Sequence, residues 1–290
     1  MVARAEKATQ AGESGSGAKR LGDVATYVAL VVLAVLWLAP LAWAVDTALK
    51  PESDTTAIPI SWIPAGGFTL ESFVQVITAG GLLRWFFNSA LTSALITLGV
   101  VLLASLAAYG FSRVPFRGRG LVFVLVLAGI IVPGEMLILP LFTEMEAFGL
   151  INTYPGVILP QLAFPVAVFI FKQFFDGVPP ELEEAAIVDG ASRLRVYWQI
   201  WMPLSQPVIA AVAIFTFVTS WNNFLWPFIV VTGTDMMTVP VGLATVQSSF
   251  GVRYADIMAS AVLGGLPLMI VFLIFQRQIV QGIAGTGLKG

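Results

Sequence analysis

Glu183-Glu184-Ala185-Ala186-Ile187-Val188-Asp189-Gly190, followed after nine further residues by Ile200-Trp201-Met202-Pro203, is a polar, helix-breaking insert between long apolar segments. Pro179-Pro180 ends the apolar run before it, and Pro180 suits the first position of a new helix, where its missing N–H is not needed. Glu181, Glu183 and Glu184 fill the first turn, where negative charge complements the helix dipole. Leu182, Ala185, Ala186 and Asp189 lie three or four residues apart and form one face, small in its middle, that a partner's surface can approach closely. Gly190 suits the left-handed position that stops a helix. A second short helix is predicted after Ser192 as its N-cap, carrying Arg193, Arg195, Val196, Tyr197 and Ile200 and ending at Pro203. Helix, glycine elbow, helix makes a rigid knob that projects into water. Arg193, Arg195, Tyr197 and Trp198 would also suit a loop lying on lipid headgroups. An acidic first helix is repelled by anionic lipid, so that half prefers a protein.

Around this insert the chain is 58% hydrophobic and 11% charged over 290 residues, against about 25% charged in a soluble domain. No soluble core absorbs that much apolar surface, so lipid must solvate it. The near-neutral net charge of −2 gives no indication of nucleic acid as a partner. Cysteine and histidine are absent, which removes disulfides, most zinc sites and histidine-based catalysis. No metal site is expected. Six segments approach the roughly 20 apolar residues a membrane-crossing helix needs: 24–46, 85–112, 119–139, 154–175, 205–230 and 256–280. Pro133 and Pro140 interrupt the third, whose far end is expected to be a broken helix along the membrane surface. The expected fold is therefore all-α and polytopic. Residues 1–23 read as a disordered tail, 24–280 as the membrane domain containing the 177–204 loop, and 281–290 as a second tail; no removable signal peptide is expected.

Basic residues set the orientation. Arg4, Lys7, Lys19, Arg20, Arg113, Arg117, Arg119, Lys172, Arg193, Arg195, Arg277 and Lys289 fall on one side of this topology; only Lys50, Arg84 and Arg253 fall on the other. Both termini and the 176–204 loop are thus expected in the cytoplasm. Residues 47–84 read as an irregular outer loop, and 231–255 as a flexible outer connection.

The spacing of Glu184-Ala185-Ala186, three residues, Gly190, nine residues, then Ile200 and Pro203 resembles the cytoplasmic loop of ABC importer permeases; only Met202 departs, standing where that family has Leu. The resemblance extends over about residues 24–290, to the maltose-type shorter permease of the carbohydrate-uptake branch. It rests further on Asn88-Ser89, Ala108-Tyr109-Gly110-Phe111-Ser112-Arg113, Ile131-Val132-Pro133, Trp221-Asn222-Asn223-Phe224-Leu225-Trp226-Pro227 and the ending from Gln276-Arg277 to Gly290. Asn223 stands where the family often has Glu. The resemblance implies a permease fold of six spans in a bacterial cytoplasmic membrane. It also implies a second homologous permease, two ATP-binding-cassette ATPase subunits and an extracytoplasmic solute-binding protein as partners. Glu181 through Ala186, with Asp189, Gly190, Arg193, Arg195, Ile200 and Pro203, would dock on the ATPase, and Gly287, Lys289 and Gly290 would reach it from the C-terminal tail. ATP and Mg would be bound by the partner ATPase and no cofactor by this chain, which lacks a G-x-x-x-x-G-K-[ST] phosphate loop. The 231–255 segment would be either a scoop entering the binding protein or a plain connector.

Polar groups within membrane spans face the bundle interior or a wet cavity. Asn222 and Asn223 among Trp221, Phe224 and Trp226 suit a transient carbohydrate site, or else hydrogen bonding to a partner helix. Glu135, beside Pro133-Gly134, lines an outer gate or reaches the aqueous interface. The function expected is a non-catalytic, ATP-driven permease subunit for a sugar or a related solute. Glycerol phosphodiesters, amino acids or phosphate are alternative cargoes within the same superfamily. An autonomous secondary transporter would want paired intramembrane carboxylates, of which the spans show few; a membrane enzyme would want a clustered acid, base or nucleophile.

Overall fold

The structure, a computed structural model, describes residues 2–78, 81–249 and 252–287. Among them every regular element is helical. The chain runs through α1 (Val2–Ala48), α2 (Glu52–Thr55), α3 (Glu71–Thr78), α4 (Leu82–Arg113), α5 (Arg119–Ile131), α6 (Ile138–Ala147), α7 (Tyr154–Ile158) and α8 (Pro165–Asp176). It continues through α9 (Glu181–Val188), α10 (Arg193–Val196), a π-turn at Tyr197–Trp201, α11 (Met202–Leu204), α12 (Gln206–Trp221), α13 (Leu225–Val230), α14 (Val239–Ser249) and α15 (Tyr254–Gly287). Two compact units result: Met1–Val74 with Arg253–Leu263, and Gln75–Val252 with Gly264–Gly290.

Three helices are individually long and apolar enough to cross a membrane: Gly22–Ala48, Leu82–Arg113 and Tyr254–Gln276. Three further stretches qualify only as bent pairs: Arg119–Ile131 with Gly134–Ala147 at 97°, Tyr154–Gln161 with Pro165–Asp176 at 48°, and Arg193–Leu204 with Gln206–Trp221 at 78°. The first two bends fall at prolines, Pro133 and Pro165, whose preceding residues Val132 and Phe164 lie outside the helical region; the third falls at Ser205, just ahead of Pro207 in the first turn of α12. The break expected at Pro133 is present; the one expected at Pro140 is not, because Pro140 lies in the first turn of α6, where its missing N–H is not needed. The segment 205–230 is not one continuous helix: α12 stops at Trp221, and Asn222 to Phe224 interrupt it before α13. Its other end stands close to where it was expected, with α12 starting at Gln206, and it is the insert's second helix that runs past its expected end at Pro203. The helical run from Arg193 passes through Pro203 to Leu204, because the wide π-turn before the proline accommodates the lost hydrogen bond. Residues 2–23, expected as a disordered tail, carry helical backbone continuous with α1; the stretch has no proline and several alanines.

The second unit is organised on α4, which packs against α8 and α12. Ile96, Val100, Ala104, Ala108 and Tyr109 on α4 meet Phe171 and Phe175 on α8, with Val196, Tyr197, Trp201 and Val212 closing the core. Small residues at 104 and 108 let the helix backbones approach, which is how spans associate where lipid removes the hydrophobic drive.

The segment after α13, expected to be flexible, is pinned at two asparagines. Asn88, fully buried, donates from Nδ2 to the carbonyls of Asp235 and Met237 at 2.8 Å each, and its Oδ1 accepts from Tyr154 at 2.8 Å. Asn152, at φ +58°, accepts from the Thr232 and Gly233 amides at 3.1 and 2.9 Å. Ser89 accepts from the Val239 amide at 2.8 Å, and α14 follows. The loop's polar backbone is thus satisfied by side chains from α4 and the α6–α7 connection, and this fixes its path.

Candidate functional site

The 177–204 insert folds as expected at both of its turns. Gly190 sits at φ +83°, where a side chain would be strained, and the Ala191 amide returns to the Ala186 carbonyl at 2.9 Å. Ser192 Oγ accepts from the Arg195 amide at 3.3 Å and so caps α10. The insert presents two unlike faces. Glu181, Leu182, Glu184, Ala185, Asp189, Gly190, Arg193, Arg195 and Pro203 are exposed, while Ala186 and Ile200 are half-buried against the core. Val188 at the tip is 86% exposed and Leu194 61%. These two apolar residues, on water's side of a polar loop, were not singled out by spacing, although both stand beside the glycine elbow.

Glu183 points the other way. It is buried, accepts from the Tyr109 hydroxyl at 3.1 Å, and lies 4.0 Å from Arg113 Nε. Tyr109 also reaches the Arg193 carbonyl at 3.3 Å, so one α4 side chain touches both α9 and the start of α10. Arg113 donates through one terminal nitrogen to the carbonyls of Phe175 and Val178, the latter at 2.6 Å, and its guanidinium lies 4.4 Å from the Trp201 ring centroid. Below this strut, Tyr197 and Trp201 are fully buried, and Tyr197 shares a 2.7 Å hydrogen bond with Ser105. The end of α4 therefore grips the insert at Glu183, at the Arg193 carbonyl and at Trp201. Tyr109 and Arg113 are four residues apart on one helix face, a signal visible in sequence once the strut is known.

The second constellation gathers at the helix breaks. Glu135, just after the Pro133 break, Gln161, just before the Pro165 break, and Asn223 and Trp226, flanking the end of α12, line one cleft of about 270 Å³. Asn223 Nδ2 donates to Gln161 Oε1 at 2.8 Å, and Gln161 Nε2 donates to the Val157 carbonyl at 2.8 Å. Trp226 is almost wholly buried and its indole donates to the Gly156 carbonyl at 3.2 Å, so it supports the cleft more than it lines it. Glu135 is exposed. Trp221 and Asn222 do not join them. Trp221 is buried, donates to the Gly264 carbonyl at 3.3 Å and stacks on Phe217, whereas Asn222 turns back to the Val218 carbonyl at 2.8 Å. Gln161, missed in the sequence, is the partner that defines the site. Gly287 is the last described residue of α15, and Lys289 and Gly290 lie outside the described residues.

Broken helices whose ends meet at a polar cleft are how non-helical backbone is tolerated at membrane depth. No group of three or more carboxylates able to hold a metal ion occurs among the described residues. The arrangement offers amide hydrogen bonding and one exposed carboxylate.

Comparison with known proteins accords with this geometry. The arabinooligosaccharides transport system permease protein AraQ of Halalkalibacterium halodurans is 41% identical over 223 residues, 77% of this chain and 80% of that protein. AraQ of Bacillus subtilis is 34% identical over 269 residues, 92% of this chain and 96% of that one. A bacterial ABC transporter involved in the import of the acidic polysaccharide alginate superposes with a TM-score of 0.78 at 19% identity, covering 89% of this chain and 96% of that one, a likeness of fold. The family model for binding-protein-dependent transport system inner membrane components matches residues 99–285, which hold the insert, the strut and the cleft, and the chain belongs to that family.

Proposed function

We propose that this chain is one permease subunit of an ATP-driven ABC importer for a neutral sugar or oligosaccharide in a bacterial cytoplasmic membrane. It forms half of the translocation pathway and catalyses no reaction itself. Two ATPase subunits bind ATP and Mg and hydrolyse the nucleotide. A second, homologous permease completes the channel, and an extracytoplasmic solute-binding protein delivers the cargo. The termini and the 177–204 insert lie on the cytoplasmic side, as the twelve-to-three bias of basic residues indicates.

The observation that carries this reading is the insert, with its acidic and apolar face turned to solvent and its opposite face locked to α4 through Tyr109, Arg113 and Glu183. A loop meant only for lipid needs no such internal strut. Glu181, Leu182, Glu184, Ala185, Asp189, Gly190, Arg193 and Arg195 form the docking surface, and Glu183 positions it. Neutral cargo is favoured because neither Lys nor Arg lines the cleft at Gln161 and Asn223, where an anionic phosphodiester would want a cation. The arabinooligosaccharide permeases that this chain resembles support the same class.

Purification of the tagged chain from native membranes in mild detergent tests the assembly. An ATPase and a second permease are expected in comparable amounts, and vesicles containing them should take up a neutral sugar only with ATP. A chain that emerges alone, even after crosslinking in intact cells, would sink the reading and bring an autonomous transporter forward.

A further inference from the structure

On the far side of the Gln161–Asn223 bridge from Glu135 lies a second cleft, of about 230 Å³. Gln161, Asn223, Thr216, Thr219, Ser220 and Phe164 line it, so the amide pair is a common wall of both clefts. At about 230 Å³ the cleft is smaller than the roughly 300–1,000 Å³ usual for small-molecule sites, and it reaches that range only when joined to the adjoining cleft of about 270 Å³ by opening of the bridge. Thr216, Thr219 and Ser220 are spaced i, i+3 and i+4 and form one polar stripe at the end of α12, and Asn223, just past that end, lines the same cleft. The rest of that helix is almost entirely apolar. A stripe of this kind in a membrane helix faces water or a ligand.

The stripe is also incompletely satisfied. Thr216 is 3% exposed, and neither its Oγ1 nor Ser220 Oγ has a hydrogen-bond partner in the structure. Buried hydroxyls without partners are uncommon, and each asks for an explanation in some other state of the protein. The bridge above them is equally exchangeable, since both amides would find equivalent partners in a ligand's hydroxyls. No charged residue lines this cleft, and the ring of Phe164, stacked on Phe215 with centroids 6.0 Å apart, supplies its apolar wall.

Resting on the importer reading, we propose that this cleft is a second station for the cargo, contributed wholly by this chain, which holds an uncharged polyhydroxylated ring. The ring enters from the Glu135 side as the Gln161–Asn223 bond opens. Its hydroxyls replace that bond at the two amides and partner Thr216 and Ser220, while its C–H face lies on Phe164. Neither Lys nor Arg lines either cleft, so an anionic cargo finds no counter-charge at the second. Gln161, Asn223, Thr216 and Ser220 are then specificity-determining residues.

The chain has no cysteine, so Thr219→Cys places a unique thiol of this chain on the cleft. In the assembled importer, purified without its binding protein, N-ethylmaleimide labelling of that thiol is followed with maltose, trehalose, lactose, arabinotriose or glycerol 3-phosphate present. The sugar that the reconstituted importer takes up should slow labelling about fivefold or more, and glycerol 3-phosphate should not. Thr216→Val should raise the half-protecting sugar concentration about three- to tenfold, the worth of one neutral hydrogen bond. It should leave the melting temperature unchanged or higher, because it removes a hydroxyl that has no partner in the resting fold. Unchanged labelling with a sugar that is taken up would overturn the second station and leave the importer standing. Labelling blocked in the importer with or without sugar, yet open in the isolated chain, would overturn it in favour of a partner permease side chain filling the cleft. Uptake of glycerol 3-phosphate and none of the sugars would bring down the neutral-sugar reading along with the station.

Discussion

Glu183 and Glu184 are adjacent in sequence and opposite in surroundings, the first buried against Tyr109 and Arg113, the second in solvent. Successive residues on a helix point about 100° apart, so sequence alone requires that they face differently. Which of them faces inward depends on side chains some 70 residues away and could not be read. Their substitutions should therefore diverge. Glu184→Lys is expected to leave expression and melting temperature unchanged while uptake per ATP hydrolysed falls more than tenfold. Glu183→Ala takes from the largely buried Arg113 side chain the carboxylate 4.0 Å from its Nε and should cost about 2 kcal/mol, seen as faster protease nicking at 177–204. Glu183→Gln keeps an acceptor for Tyr109 and should cost less. Equal effects of Glu183→Ala and Glu184→Ala on nicking would mean that the strut does not hold the insert. In the other unit, Glu52 accepts from the Tyr254 and Ala255 amides at 2.8 and 3.0 Å and so caps the start of α15 from a distant segment. Glu52→Ala should cost about 1 kcal/mol, measured by thermal unfolding in detergent.

Among the elements, hydropathy found where apolar helix exists and misjudged where it is continuous. The break at Pro133 was legible because a proline interrupts the apolar run and the run turns acidic soon after, at Glu144 and Glu146. The bend at Pro165 sits inside a run that stays apolar on both sides, so no change in hydropathy announces it, whereas the bend at Ser205 falls at the expected boundary between the insert and the span from 205. The same blindness joined Trp221 to Val230 across Asn222-Asn223, and it hid Gln161, whose importance arises only where three breaks meet. The segment after α13 looked flexible because its glycines and threonines are loop residues; its order comes from Asn88 and Asn152, far off in sequence. Glycines divide on the same grounds. A Cβ at Gly156 would collide with the Leu150 carbonyl, a backbone atom that cannot swing aside, and Gly156 also supplies the carbonyl that holds Trp226. Gly156→Ala is expected to destabilise by about 1–3 kcal/mol. Gly110→Ala, with nothing within 4 Å of the added carbon and a helical backbone around it, should be neutral or stabilising by up to about 1 kcal/mol. Paired thermal melts check the contrast, and a Gly156 variant as stable as the Gly110 variant would refute the packing argument.

Considered whole, the molecule joins its two functional regions through one length of chain. The helical run from Arg193 leaves the insert, turns by 78° at Ser205 and becomes α12, whose far end carries Thr216, Thr219 and Ser220 and leads directly to Asn223. The bend itself is held: Ser205 is fully buried, and its Oγ donates to the Trp201 carbonyl, beside the Arg113 grip. A push on the insert is therefore applied to α12 as a lever about a packed corner, and the most exchangeable bond at the lever's end is Gln161 to Asn223. Demonstrating such a route requires a perturbation at one end with a readout at the other. In the assembled importer, Gln161→Cys with Asn223→Cys, joined by a short reducible crosslinker, should abolish ATP-driven sugar uptake while the ATPase subunits keep their basal hydrolysis, and reduction should restore uptake to at least about half that of the uncrosslinked pair. Gly190→Pro should also lose uptake, irreversibly, since φ is fixed near −65° where the elbow needs +83°. Uptake that continues through the crosslinked pair would mean that the amide bridge stays closed during transport and that the insert drives some other part of the bundle.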